Sequence, residues 1–417
     1  MPRFDHGMDL RAAVDRQGHR LLAHFLQRMG GPAVRVRLWD GSVIEPAGDA
    51  VGTIVLHDPD ALWQILLDAD LQLGNLWVEK RLSVEGDLAT VLTELFRHRE
   101  PPSWIWRLVP RRFIERRLRQ DRTTATDNAR HHYDVGNEFY ELFLDERMVY
   151  TCAYFPTPEA TLEEAQVAKL EHVCAKLNLR PGEHVIEAGC GWGALALHMA
   201  RHHGVRVTAF NVSREQVAYA REVAEKQGLS DRVEFVEDDY RNIQGTCDAF
   251  VSVGMLEHVG KDHYAELQDV IDRTLTPHGR GLVHTIGRNR EQRLSRWITE
   301  NVFPNAYPPT LFEMKEVFEP RLAVLDVENL RRHYALTSRH WLRRFQAAER
   351  SATELAGERT ARVWQFYLAG VVASFEASTL ELFQVVFTRV GNDRIAWTRD
   401  YMYGLGANGN VESDGHV

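Results

Sequence analysis

The residues best able to do chemistry begin with one short run, Val185–Gly193, which reads VIEAGCGWG. An acid, Glu187, stands at the end of a strand-like stretch, and three glycines, Gly189, Gly191 and Gly193, open the helix-like segment that follows. Without a Cβ, glycine permits a tight turn and lets a ligand come close to backbone. Alone, such a turn fits dinucleotide binders as well as other cofactors. Downstream, EDDYRN places Asp238, Asp239 and Tyr240 after a further strand-like run. Taken singly, these acids read as solvated loop charge. Glu257 precedes His258 in MLEHVG, His284 lies in VHTIG and Tyr334 in RRHYALT. Each has an ordinary structural reading: Glu257 as a charge at a helix start, His284 as a hydrogen-bonded core histidine, Tyr334 as a packing aromatic. The four cysteines, Cys152, Cys174, Cys190 and Cys247, form no CxxC pair. That argues against a zinc ribbon or dithiol redox centre, and no metal site is expected.

The elements that must position these groups alternate. EHVIEAG, VRVTAFNV, RVEFVED, CDAFVSVGM and GRGLVHTIG are strand-like, and GWGALALHMARHH, SREQVAYAREVAEKQG and the stretch from Tyr264 to Leu275 are helix-like. Repeated strand–helix units imply an α/β domain with a mostly parallel, doubly wound sheet. Residues from about 20 to 100 differ. VRVRLWDGSVIEP alternates apolar and polar residues around Asp40-Gly41, a hairpin signal. ALWQILLDADLQLGNLW reads as a helix followed by a turn. From Trp104 to Arg122 the chain is basic, with Trp106, Val109 and Phe113 at helical spacing. It reads either as a surface helix touching anionic headgroups or as a linker helix packing on the main domain.

With 417 residues and 44% hydrophobic composition the chain can bury a substantial core, enough for two domains. A net charge of −9 offers no basic field for nucleic acid, so no nucleic-acid partner is expected. No run approaches the length of a spanning helix, and MPRFDHGMDL has no apolar signal core. A reduced, cytoplasmic setting is expected. The last residues, GANGNVESDGHV, read as a frayed tail.

The pattern E-x-G-x-G-x-G resembles motif I of class I S-adenosylmethionine (AdoMet) methyltransferases, where the loop faces the amino acid part of the cofactor. The acid usual at the end of the second strand is missing from TAFNVSREQ. The resemblance implies that the NVS turn, beginning at Asn211, and Gln216 take its role, with Asp239 and Tyr240 near the adenine. More narrowly, HHYDVGNEFYELFLDERMVYTCAYF (131–155), VIEAGCGWG, VSVGMLEHVG, VHTIG, FPNAYPP and NLRRHYALTSRHWLRRF resemble the cyclopropane fatty acid synthases and their mycolic acid relatives, over roughly residues 125–395.

That resemblance implies a Rossmann-like class I fold with inserted helices forming an acyl pocket, and a smaller N-terminal α+β domain. The expected division is a docking or dimerisation domain with its basic linker over 1–120, an AdoMet-dependent catalytic domain over 121–400 and a flexible tail over 401–417. It also implies the reaction: the AdoMet methyl carbon goes to a cis double bond of a phospholipid acyl chain, and bound bicarbonate deprotonates the resulting cation as a cyclopropane closes. The implied bicarbonate set is Cys152, Glu257, His284, Ile286 and Tyr334, and Tyr150 with Thr151 matches an AdoMet-contacting pair. The implied partner is membrane phospholipid, met peripherally at the inner face, with a homodimer as a further expectation. Many relatives carry a cysteine where this chain has Val371. By analogy Phe303, Trp341, Phe366 and Tyr367 line the acyl tunnel. The alternatives are a methylene- or methyl-branched product, a methyltransferase for a small soluble metabolite, and a non-enzymatic lipid-binding protein.

Overall fold

The computed structural model describes residues 18–98, 136–292, 294–304 and 306–403. The basic stretch 104–122, residues 131–135 of the HHYDVGNEFY run, the 120/121 boundary and residues 404–417 lie outside the described residues.

The N-terminal part carries strands β1 (Arg35–Arg37), β2 (Val43–Ile44), β3 (Thr53–Leu56) and β4 (Leu82–Glu85), in the order β2-β1-β3-β4. β1 and β2 form the hairpin expected around Asp40-Gly41, with Gly41 at φ 84°. Helix α1 (Pro59–Val78) connects β3 to β4, and α2 (Leu88–Arg97) follows. The expected turn inside the α1 sequence is instead a break. Asp68 leaves helical geometry (φ −156°, ψ 75°) and accepts from the Leu71 amide, so its side chain caps the second half, which runs on to Val78.

The larger part is a seven-stranded sheet in the order β10-β11-β9-β8-β5-β6-β7. Its strands are β5 (His184–Ala188), β6 (Arg206–Asn211), β7 (Val233–Glu237), β8 (Cys247–Val253), β9 (Leu275–Gly287), β10 (Leu322–Asn329) and β11 (Glu381–Arg389). β5 pairs in parallel with β6 on one side and β8 on the other, whereas β11 is antiparallel to both neighbours. Alternate residues of one strand feed opposite layers. Val185 joins the core under α3 (Leu162–Leu177), α4 (Ala194–His203) and α5 (Arg214–Lys226), while Ile186 joins the core under α6 (Tyr264–Thr274). Burial on both faces explains the near-continuous apolar strands. α3 starts where Thr161 and Glu164 form a reciprocal capping box. The chain leaves β5 in one direction toward β6 and β7 and returns to β8, so the strand order reverses between β5 and β8, where open α/β sheets bind ligands.

A third core joins the two parts. After α7 (Arg296–Asn301), helices α8 (Arg331–Ala347), α9 (Glu349–Ala356) and α10 (Glu358–Glu376) are inserted between β10 and β11. Their apolar faces share one cluster with the N-terminal sheet and helices. Contact is tight: a Cβ on Gly74 of α1 would come within 2.4 Å of the Trp297 ring of α7. Arg339 of α8 meets Glu376 of α10 at 2.5 Å and Asp87 at the start of α2 at 3.2 Å. Residues 401–403, expected to belong to the flexible tail, are instead packed on the domain. Met402 is buried in the core beneath α3 and Arg399 pairs with Asp326 at 2.6 Å, which holds Asp400–Tyr403 as a helical turn. Among the described residues no helix is long and apolar enough to cross a membrane.

Candidate active site

At the β5/β8 reversal the chain forms a cleft of about 220 Å³. Tyr150, Thr151, Glu187, Gly189, Gly191, Asn211, Gln216, Asp239 and Tyr240 all line it. Gly193 does not; it stands behind the loop at φ 87°, where a Cβ would meet Phe235 at 2.6 Å and Ala220 at 2.9 Å. Its glycine therefore serves packing of α4 on its neighbours rather than ligand approach. Asn211 donates to Gly191 O at 3.1 Å and to Gln216 Oε1 at 2.7 Å, so the polar turn after β6 braces the glycine loop. Asp239 is paired with Arg241 at 3.0 Å.

Glu187 is wholly buried, and burial pushes its carboxyl up to about 8 against the pull of nearby Lys169. One carboxylate oxygen is served by the Ala196 amide at the start of α4. Glu187 Oε2, Gln216 Nε2 and Tyr240 OH are buried and have no partner among the described residues. One acceptor, one donor and one hydroxyl left open in the same cleft fit a ligand that offers both donors and acceptors, as AdoMet does.

The second expected set does not line this cleft; His284 and Ile286 stand on β9, Tyr334 on α8, Glu257 on a short helix and Cys152 on a loop. Glu257, in the short helix Leu256–Val259, accepts from Thr285 Oγ1 at 2.6 Å and from the Ile286 amide at 3.3 Å. Ile286 pairs with Leu382 across the strands, and Leu382 O accepts from Leu330 N at 2.8 Å. The Leu330 carbonyl in turn accepts from Tyr334 N at 3.1 Å and lies 3.9 Å from Cys152 Sγ. Glu257, Ile286, Cys152 and Tyr334 thus belong to one connected wall. His284, two residues before Ile286 on β9, is outside that chain of hydrogen bonds, with Nδ1 3.1 Å from Gln384 Nε2 and Nε2 without a partner among the described residues. Burial lowers its basicity, so it is a neutral imidazole. Burial also pushes the Cys152 thiol up, which keeps it protonated and unsuited to act as a nucleophile.

Aromatic rings fill the space beside the cleft. Tyr150, which lines it, has ring neighbours Tyr140 at 5.4 Å, Trp341 at 5.2 Å and Phe143 at 6.0 Å, and its hydroxyl is 3.1 Å from that of Tyr367. Phe303 lies against Tyr367 at 5.6 Å and His258 at 5.4 Å. Three of the four expected tunnel residues gather here. Phe366 does not: it turns to Trp297, 4.8 Å away, and Trp77, because adjacent helical residues face apart.

Sequence reasoning missed Lys169. It lines the cleft, fully buried, and donates to Thr151 Oγ1 at 3.0 Å; burial lowers it to about 8. A lysine inside a helix otherwise reads as a solvent-facing charge. The available signal was its place three residues after Gln166, also buried, on the inward face of α3.

A family model described as Mycolic acid cyclopropane synthetase matches residues 120–385. The chain belongs to this family. It is an enzyme of the AdoMet-dependent methyltransferase class. A probable fatty acid methyltransferase of Pseudomonas putida is 34% identical over 391 residues, 89% of this chain and 96% of that one. The cyclopropane-fatty-acyl-phospholipid synthase of Escherichia coli (strain K12) is 38% identical over 271 residues, 65% of this chain and 70% of that one. Among solved structures, the cyclopropane synthase MmaA2 from Mycobacterium tuberculosis superposes with a TM-score of 0.61 at 27% identity, over 63% of this chain and 97% of its own. A mycolic acid cyclopropane synthase complexed with SAH and CTAB gives 0.60 at 27% identity, over the same shares. The family resemblance read from the motifs and the class I α/β fold are therefore both upheld.

Proposed function

We propose that this enzyme transfers the AdoMet methyl carbon to the cis double bond of an unsaturated phospholipid acyl chain and closes a cyclopropane ring, with bicarbonate as base. The observation that carries the proposal is the junction at Tyr150. One side of this residue borders a cleft with open hydrogen-bonding atoms, and the other packs against the rings of Tyr140, Phe143 and Trp341. The relative named as a cyclopropane-fatty-acyl-phospholipid synthase, and the relative solved with SAH and CTAB, support the same reading.

Bound AdoMet supplies an electrophilic methyl carbon. Glu187, Gln216 and Tyr240 would hold its polar groups, and the glycine loop with Asn211 would shape the approach. As the π electrons of the double bond form the new carbon–carbon bond, positive charge appears on the chain. The rings of Tyr150, Trp341 and Tyr367 exclude the water that would trap it and present electron-rich faces to it. A base must then take a proton from the transferred carbon, whose C–H electron pair closes the ring. Glu257 would orient bicarbonate through its hydroxyl: each carboxylate oxygen keeps a second lone pair beyond those used by Thr285 and Ile286. His284 Nε2, Tyr334, Cys152 and the Ile286 backbone are the proposed surroundings of that anion.

The proposed substrate is met at the inner face of a membrane, by peripheral contact through the N-terminal part, in a monomer or homodimer. A second reading shares the first step and ends in a methyl-branched or methylene chain. It is favoured by the long match to the Pseudomonas putida fatty acid methyltransferase and by Val371 on α10. Incubation with AdoMet and vesicles of cis-monounsaturated phospholipid tests the proposal. It requires a gain of one CH2 per modified acyl chain, with ring protons by NMR. An unchanged lipid mass, with AdoMet still bound, would sink it; an olefinic product of the same mass would replace it by the second reading.

A further inference from the structure

The sequence offered no metal site, because none of the four cysteines forms a CxxC pair. Folding supplies one. α3 presents Glu171 and Cys174, three residues apart on one face, to the side of α4 that carries His198 and His203. Cys174 Sγ and a ring nitrogen from each histidine all lie within 4.8 Å of one another. Glu171 Oε2 is 3.1 Å from Nε2 of His198 and 3.1 Å from Nε2 of His203. Depth is graded: Cys174 is fully buried, the imidazoles are 9% and 19% exposed, and the Glu171 side chain is 54% exposed. The thiol is a floor, the imidazoles are walls, and the carboxylate stands at an entrance open to solvent.

We infer that Cys174, His198, His203 and Glu171 form a binding site for a zinc-class transition-metal ion. One thiolate, two imidazoles and a carboxylate make a four-ligand set of the softness that zinc takes, with bond lengths of about 2.0–2.3 Å. Hard oxygen-seeking cations such as magnesium have one suitable ligand here. The ligand atoms would have to draw inward, which the positions allow, since His203 ends α4 and the Glu171 side chain is half-exposed. Binding displaces the thiol proton and breaks the two Glu171–histidine hydrogen bonds in favour of the ion. A bare glutamate–histidine cluster accounts for those two hydrogen bonds, and core packing accounts for a buried thiol; what points to a metal is that the Cys174 sulfur lies within 4.8 Å of both imidazoles, and the ion must displace a thiol proton that burial otherwise retains.

The site lies away from the substrate chamber but shares its supports. α4 begins at Gly193 of the cofactor loop, and α3 carries Lys169, which lines the cofactor cleft. An ion held by both helices clamps that pair together, a structural or regulatory contribution independent of the transfer chemistry.

The full chain, stripped with a chelator and titrated with Co2+, tests the inference. One ion per chain should bind, with a thiolate-to-cobalt charge-transfer band and the strong visible bands of a tetrahedral site. Zn2+ should displace it and raise the Tm. Cys174→Ser should lose the charge-transfer band and weaken Zn2+ binding by about 10-fold or more, and His203→Asn should weaken it similarly. Cys247→Ser, on a distant strand, should keep the band. His203 sits at the partly exposed end of α4, so that variant keeps the test decisive if Cys174→Ser fails to fold. The inference is overturned if the wild-type chain shows no thiolate band, or if the band persists unchanged in Cys174→Ser or His203→Asn.

Discussion

The cofactor cleft and the wall around Glu257 are built on opposite plans. In the cleft, buried polar atoms on Glu187, Gln216 and Tyr240 are left open, and burial pushes the Glu187 carboxyl up to about 8 because Lys169 and the Ala196 amide offset it only in part. At the wall, Glu257 already has a hydroxyl and an amide donor, and its neighbours are tied through Leu330 and Leu382. On the proposed function, the first region is completed by its ligand and the second is preorganised before any ligand arrives. A site that must bind and release a cofactor each turnover gains from the former, and one that must hold a base in a fixed direction gains from the latter.

Mutations at the two regions should therefore fail differently. Glu257→Gln should leave AdoMet affinity unchanged by calorimetry and lower turnover by up to about 10²–10⁴-fold, the range for losing the base that Glu257 would orient. Wild-type turnover in that variant would remove Glu257 from the chemistry. Glu187→Gln should do the reverse, costing about 1.5–3 kcal/mol of AdoMet binding while the wall stays intact; equal affinity would mean that Glu187 is only a packed core acid. Between the two parts of the chain, Gly74→Val should cost about 1–3 kcal/mol of stability through collision with Trp297. Its activity per folded molecule should stay normal, and a selective loss of turnover at unchanged stability would contradict a purely structural joint.

The open plan of the cleft has a pH signature. Glu187 is raised from an unfolded value near 4.5 to about 8, so between those values the folded chain holds a proton that the unfolded chain has released. Its contribution to stability is full below 4.5 and is lost as pH rises through about 8. Denaturant titrations across that window should show this slope in wild type and not in Glu187→Gln; identical slopes refute the assignment. Cofactor donors favour the ionised form, so AdoMet binding at pH 7 should release protons, which calorimetry in two buffers detects. The smallest effect is expected for Thr151→Ser. It keeps the hydroxyl that accepts from Lys169, and AdoMet affinity should change by no more than about 0.5 kcal/mol.

What was legible in the sequence follows the same divide. The strand periodicities and the hairpin at Asp40-Gly41 are local and stand as read, and so does the glycine turn except for Gly193, whose packing against Phe235 and Ala220 depends on tertiary neighbours. Lys169 was illegible because its burial depends on α3 packing against the cleft, and Phe366 because one residue's rotation around α10 decides which chamber it enters. Asp68 breaks α1 through its own side chain, a competition between cap and helix that composition does not reveal. Cys174, His198 and His203 meet only through the packing of two helices, so no spacing rule finds them. The Glu257 wall was recognised through motif resemblance, but its connectivity through Leu330 and Leu382 belongs to strand register.

The most direct measurement uses AdoMet labelled as CD3, with vesicles of cis-monounsaturated phospholipid, followed by mass spectrometry and NMR of the acyl chains. Ring closure predicts that two of the three deuterium atoms stay on the added carbon, within a cyclopropane, because one must leave with the base. A chain that keeps all three, or a lipid that acquires no label while AdoMet binds, contradicts the account.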